Sequence, residues 1–101
     1  MRISLLQYPI VWADKLQNLQ RTESRIALLE GLTDLVVLPE MFTTGFCTES
    51  PELAESMDGH TVECLKNWAQ KYKLAICGSF IAIENSKFYN RSFFVKPSGE
   101  F

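Results

Sequence analysis

An α/β layered fold is predicted for this chain, on two observations. Short apolar runs with strand character alternate with segments whose apolar residues recur at helical spacing. Each run is closed by a proline, a glycine or a capping residue. A third observation places a site on that fold. Residues 40–55 form a long stretch with no sustained period, directly after an apolar strand. Open α/β sheets hold their sites at such strand ends, and long loops inside compact domains are often functional.

Residues 3–7 read as the first strand. Ile3, Leu5 and Leu6 are apolar on both faces, as in a strand buried between helices, and Pro9 closes it. Asp14 caps a helix expected over residues 15–29. Leu16, Leu19, Ile26 and Leu29 share one face of it, and Gln17, Gln20, Arg21, Glu23 and Arg25 fill much of the other. Gly31 is its expected terminator. Residues 34–38 are a second apolar strand, which must stop at Pro39 because proline cannot donate a ladder hydrogen bond.

After the long connection, Asp58-Gly59 is a turn signal and Thr61 a cap for a helix over residues 61–73. Val62, Leu65, Trp68, Ala69 and Tyr72 recur at three- and four-residue steps and form a core-facing stripe. Strands follow over 74–83 and 88–95, with Glu84-Asn85-Ser86-Lys87 as their hairpin loop. Pro97-Ser98-Gly99-Glu100 begins a further turn. A turn after a strand normally leads to a partner strand, so residues 1–101 are expected to be the front part of one larger domain.

Composition narrows the functional classes. A length of 101 residues suits one small domain. The 47% hydrophobic and 22% charged content is ordinary for a globular protein and argues against disorder. The net charge is -2 and the Lys and Arg residues are scattered, so no nucleic-acid partner is expected. Residues 1–13 are apolar but broken by Gln7 and Pro9, with Arg2 the one positive charge. They are too short to span a bilayer and make a poor export signal, so no membrane partner is expected either. The three cysteines, Cys47, Cys64 and Cys77, are odd in number and widely spaced. That favours reduced thiols in a cytoplasmic protein over a disulfide framework or a metal site.

Glu40 is the leading candidate for chemistry. It follows the second strand at its C-terminal end. A carboxylate partly desolvated there would have its pKa raised toward the range of a general base. The alternative is a loop glutamate that solvates a strand end.

The surrounding motif favours the chemical role. Leu38-Pro39-Glu40-Met41-Phe42-Thr43-Thr44-Gly45-Phe46 resembles the glutamate motif of the nitrilase, or carbon–nitrogen hydrolase, superfamily. The opening residues 3–12 resemble that family's first strand and its exit, and Asn18-Leu19 the start of its first helix. Ala75-Ile76-Cys77-Gly78-Ser79 is similar to its glycine–serine strand. Tyr89-Asn90-Arg91, with Val95, Pro97 and Gly99, is similar to the hairpin that follows. The run after Pro39 is closest to the omega-amidase branch.

The resemblance implies an N-terminal portion of a four-layer αββα sandwich, incomplete within these residues. It also implies a cysteine–glutamate–lysine triad that needs no metal or organic cofactor. The partner is then a small-molecule amide, such as 2-oxoglutaramate or 2-oxosuccinamate, and the full-length protein is expected to be a homodimer or higher homo-oligomer. Glu40 is the residue here that matches a triad position. Lys96 precedes Pro97 and sits before the turn where the family's lysine follows it, and no cysteine here matches the nucleophile elbow. Hydrolysis by these residues alone is therefore not expected.

Phe42 and Phe46 belong to the matched motif and are expected to wall a substrate pocket. Asn90 and Arg91 are expected to shape the site by hydrogen bonding, with ordinary hairpin structure as the rival. Cys47 reads as a partly exposed loop thiol, and Cys64 and Cys77 as core. His60 has no second histidine to pair with, and Ser79 lacks the Gly-x-Ser-x-Gly elbow of a serine hydrolase. The remaining functional readings are a family member acting on nitriles, N-carbamoyl amino acids or aliphatic amides, and a non-catalytic α/β binding module.

Overall fold

A computed structural model describes residues 1–47 and 51–101. The chain runs β1 (Ile3–Leu5), α1 (Lys15–Ala27), β2 (Leu35–Val37), a 3₁₀ turn (Pro51–Leu53), α2 (His60–Tyr72), β3 (Ala75–Glu84) and β4 (Lys87–Val95). Within the expected 40–55 loop, residues 48–50 lie outside the described residues. The sheet order is β1-β2-β3-β4, with β1, β2 and β3 parallel and β4 antiparallel to β3.

Both crossovers step the same way across the sheet. Right-handed connections of that kind put their helices on one face, and α1 and α2 indeed pack against each other. Between them and the sheet lies one core, with Leu19, Ile26, Val36, Leu65, Trp68, Ile76, Phe80 and Val95 among its buried members. The α2 stripe enters it as predicted, since Val62, Leu65, Trp68, Ala69 and Tyr72 are all buried.

α1 departs from its prediction. Asp14 does cap it, accepting from Gln17 N at 3.1 Å. However, Leu16 is exposed, and the buried positions are Asn18, Leu19, Thr22 and Ile26. Polar side chains with buried partners occupy the core-facing stripe where the sequence pattern places leucines. The Tyr8 hydroxyl meets the Thr22 hydroxyl at 2.7 Å, and the Arg25 guanidinium lies over the Tyr8 ring. Thr22 is thereby satisfied without water.

α2 begins one residue earlier than expected, at His60. Gly59 is its N-cap and makes no side-chain cap. The carboxylate of Glu55 takes over that task from outside the helix. It accepts from Thr61 N at 2.9 Å and from the Thr61 hydroxyl at 2.5 Å, and pairs with Lys15 at 3.2 Å. Glu55 also pairs its backbone with Ile81 and Ile83 of β3. One residue thus joins α1, α2 and the sheet.

Burial pushes the Glu55 carboxyl up, but the Thr61 bonds and Lys15 outweigh it and hold the group below its ordinary 4.5. A depressed folded-state pKa adds stability above the unfolded value, and that stability is lost as pH falls through the folded one. The full-length protein should therefore show a melting temperature that drops as pH is lowered below 4.5. Glu55→Gln should flatten that part of the profile and cost about 1–3 kcal/mol at neutral pH. A profile unchanged by the substitution would refute this role.

The β3–β4 hairpin is tighter than predicted. Glu84 pairs with Lys87, and Asn85 and Ser86 both have positive φ, the signature of a two-residue type I′ turn. Gly78 sits where β2, β3 and β4 approach closely. A Cβ there would stand 3.1 Å from both Leu38 Cβ and Phe93 Cζ.

The second face of the sheet differs most from expectation. β1 is an edge strand, and Ile3 and Leu5 are exposed. One rung, Leu5–Val37–Cys77–Phe94, points away from the helices. Leu5 is 76% exposed and Phe94 50%, so a strand read as buried on both faces is covered on one. Among the described residues one helical layer and one sheet are present, one α and one β layer of the expected αββα arrangement. No helix among them is long and apolar enough to cross a membrane.

Candidate active site

Glu40 stands at the C-terminal end of β2, one residue beyond Pro39. Leu38 N still donates to Cys77 O at 2.8 Å, so the β2–β3 ladder reaches almost to the glutamate. The Glu40 carboxylate accepts from Asn90 Nδ2 at 3.2 Å. It borders a groove of about 420 Å³ lined also by Val37, Cys77, Ser79, Asn90 and Ser92 on the open face of the sheet. The side chain is exposed, where the sequence reading expects partial desolvation. The reason is that the groove has no roof among the described residues.

The backbone turns sharply after Glu40. Met41 has φ +47, a left-handed conformation uncommon for a residue with a side chain. Its carbonyl accepts from Thr44 N at 3.1 Å and Gly45 N at 2.8 Å. Met41, Phe42, Thr43 and Thr44 are all buried. Gly45, at φ +74, continues the turn beside the Trp12 indole. The turn is tied to α1 by Asn18, whose Nδ2 donates to Thr43 O at 2.7 Å, and to the exit of β1 by Ala13 N donating to Thr44 O at 2.9 Å.

The other expected site residues separate. Phe42 is fully buried in the helix-side core, 6.1 Å from the Phe93 ring, so it walls no pocket. It directly follows the left-handed Met41, and its side chain lies on the core side of the sheet. Phe46 is 63% exposed and lines neither this groove nor its neighbour. Arg91 pairs with Glu84 at 2.9 Å and stacks on Tyr89, opposite Phe80 on the helix side of the sheet, with no bond to Glu40. Asn90 alone of that set reaches Glu40.

A second cavity of about 320 Å³, lined in part by Met41, shares Asn90 with the first. Cys47, Pro51, Ile81, Phe88 and Tyr89 complete its wall, which is largely apolar. Cys47 is buried, where a partly exposed loop thiol was expected. Cys77 borders the Glu40 groove, half-buried, and burial pushes its thiol up. Burial, then Glu63, Glu23 and Glu55, do the same to Cys64, whose Sγ lies 3.5 Å from His60 Nε2. A raised thiol is the opposite of an activated nucleophile. Among the described residues no cluster of three or more His, Cys, Asp or Glu could hold a metal ion.

The fold and this site together describe an α/β chain with a carboxylate at the end of a parallel strand, bonded to an amide of the adjoining hairpin and bordering an open groove. Residues 2–101 match the carbon–nitrogen hydrolase family model, and the chain belongs to that family. It is 38% identical over 101 residues to omega-amidase YafV of Escherichia coli K12, covering 98% of this chain and 38% of that protein. It is 34% identical to an (R)-stereoselective amidase of a Pseudomonas species, covering 98% of this chain and 37% of the relative. Its fold superposes on the crystal structure of XC1258 from Xanthomonas campestris with a TM-score of 0.92 at 38% identity, over 97% of this chain and 37% of that one. XC1258 is described as a CN-hydrolase superfamily protein with an arsenic adduct in its active site. The chain thus spans about two fifths of the length of the curated relatives it matches.

Sequence reasoning missed Asn18, Glu55 and Ser79 as organisers of this region. None of the three belongs to a repeating spacing of like residues, so none carries a periodic signal. A buried polar side chain must find partners, and that requirement is visible only once burial is known.

Proposed function

We propose that residues 1–101 form the N-terminal part of one catalytic domain that hydrolyses a terminal carboxamide, with Glu40 as its acid/base group. The observation that carries this reading is the Glu40 carboxylate bonded to Asn90 at the mouth of an open groove. The likeness to omega-amidase YafV points to small dicarboxylate monoamides, such as 2-oxoglutaramate, as substrates.

In this reading Glu40 takes the proton of a cysteine thiol. The thiolate adds to the amide carbonyl carbon, and a lysine stabilises the resulting oxyanion. Glu40 then returns the proton to the departing ammonia as the tetrahedral intermediate collapses to a thioester. It finally takes a proton from water, whose oxygen attacks that thioester, and returns it to the departing thiolate, so that the acid leaves and the thiol and the Glu40 carboxylate are restored. No cysteine or lysine within residues 1–101 matches the family's positions for these roles, so this stretch alone does not turn over substrate. Asn90 holds the carboxylate in place between successive proton transfers.

One observation favours a second substrate class. Among the described residues neither the Glu40 groove nor the adjoining cavity has a lysine or arginine in its lining, and the wall of Met41, Pro51, Ile81, Phe88 and Tyr89 is apolar. A second carboxylate on the substrate finds no counter-charge there, whereas an uncharged amide with an apolar group does find a matching surface. The test is an ammonia-release assay of the full-length protein with dicarboxylate monoamides and with apolar amides of similar size, alongside Glu40→Gln. Faster turnover of the apolar series would move the assignment to that class. No ammonia from either series would reject the amidase reading.

A further inference from the structure

We infer that Ser79 is a positioning residue that sets the direction of the Glu40 carboxylate by holding the amide that follows it. This deepens the acid/base reading of Glu40 and rests on it for its catalytic consequence.

The argument begins with an oddity of β3. The strand Ala75–Glu84 is almost wholly apolar, yet Ser79 at its middle is only 5% exposed. A buried hydroxyl requires a partner. Its Oγ accepts the Met41 N–H at 2.9 Å, and its own carbonyl accepts the Phe42 N–H at 3.3 Å. Both amides of the turn just after Glu40 therefore end on one residue, 38 positions further along the chain.

Met41 is the residue that needs holding. At φ +47 it occupies a backbone region that side-chain-bearing residues avoid, so the surrounding contacts must over-determine it. The Met41 N–H belongs to the peptide unit whose carbonyl carbon is that of Glu40. Rotation of that unit swings the Glu40 side chain directly. Ser79 fixes the unit through its amide, and Asn90 fixes the carboxylate at the other end.

The two contacts share one rigid support. Ser79 pairs with Ser92 and Ile81 pairs with Asn90, so Ser79 and Asn90 sit two rungs apart on the β3–β4 hairpin and line the same groove. The hairpin thus grips Glu40 from both sides, by its backbone and by its carboxylate. A misplacement near 1 Å at a reacting group costs on the order of 10²-fold in rate, which is the scale at stake.

The test compares Ser79→Ala, Ser79→Cys and Ser79→Thr in the full-length protein. Threonine keeps the acceptor oxygen, cysteine offers a weaker acceptor of similar size, and alanine offers none. Two readouts are taken: kcat and KM for the best amide substrate, and hydrogen exchange at the Met41 and Phe42 amides. The expected order for both is wild type near Thr, then Cys, then Ala. Ser79→Ala should lose roughly 10- to 100-fold in kcat with KM within about twofold, and exchange at Met41 should quicken while α2 is unchanged. Equal losses for Thr and Ala, or wild-type exchange in Ser79→Ala, would overturn the inference. Exchange also separates this inference from the reading beneath it. If Glu40→Gln is fully active while Ser79→Ala still frees the Met41 amide, the acid/base role falls and the hold of Ser79 on the turn stands.

Discussion

Glu40→Gln in the full-length protein should lower kcat by about 10²- to 10⁴-fold, the usual contribution of a positioned acid/base group. The substitution removes the proton-accepting function and little else. Glutamine keeps the length of the side chain, and its carbonyl oxygen can still accept from Asn90 Nδ2, now at 3.2 Å from the carboxylate. Glu40 is exposed, so the change in stability should stay within about 0.5 kcal/mol. The prediction is therefore a collapse of rate with an unchanged melting temperature. Glu40→Asp sharpens it. Aspartate keeps the charge but withdraws it by one methylene, and should also lose around 10²-fold because the carboxylate no longer reaches. Steady-state kinetics and thermal melts of the two variants decide the matter, and an undiminished rate in Glu40→Gln removes the residue from the mechanism.

The second large effect belongs to a residue far from any proton transfer. Asn18→Ala should destabilise the full-length protein by about 3–5 kcal/mol, at the upper end of single substitutions. Asn18 is fully buried, and its amide is spent entirely on backbone. Its Oδ1 accepts from Val11 N at 2.8 Å, and its Nδ2 donates to Val11 O and to Thr43 O, both at 2.7 Å. Alanine removes all three bonds at once and leaves a void in a packed region. Each buried backbone group left without a partner costs about 1–3 kcal/mol. Asn18→Asp should be no milder, because it retains the acceptor for Val11 N but turns a carboxylate toward two carbonyl oxygens. The measurement is the urea midpoint and slope of each variant. A loss below about 1 kcal/mol would show that these bonds are replaced by water. Because Thr43 lies in the turn after Glu40, Asn18→Ala should also reduce kcat in a folded sample, a link from α1 to the site through one side chain.

Much of this architecture is written in local pattern. The alternation of strands and helices, the α2 stripe from Val62 to Tyr72, the Asp14 cap and the hairpin at Asn85-Ser86 all follow from periodicity and turn chemistry. Each depends on residues within a few positions of one another, which is the range over which a sequence speaks for itself. The position of Glu40 at a strand end is of the same kind, because Pro39 must stop β2 wherever the chain goes next.

What needed the tertiary structure was every decision about facing. Phe42 and Phe46 are four residues apart in one motif, yet one is core and the other solvent, and the chain turns between them at Gly45, where φ is +74. Leu16 lost its place in the core to Asn18 and Thr22, whose partners lie on other elements. β1 looked buried on both faces, but two crossovers of the same direction put both helices on one side of the sheet. The sequence by itself determined that a glutamate closes the second strand of an α/β chain. Only the tertiary structure decided that Asn90, Ser79 and Asn18 hold it and its turn. Those contacts join residues 50, 38 and 25 positions apart, and hydrogen bonds over such separations leave no trace in local spacing.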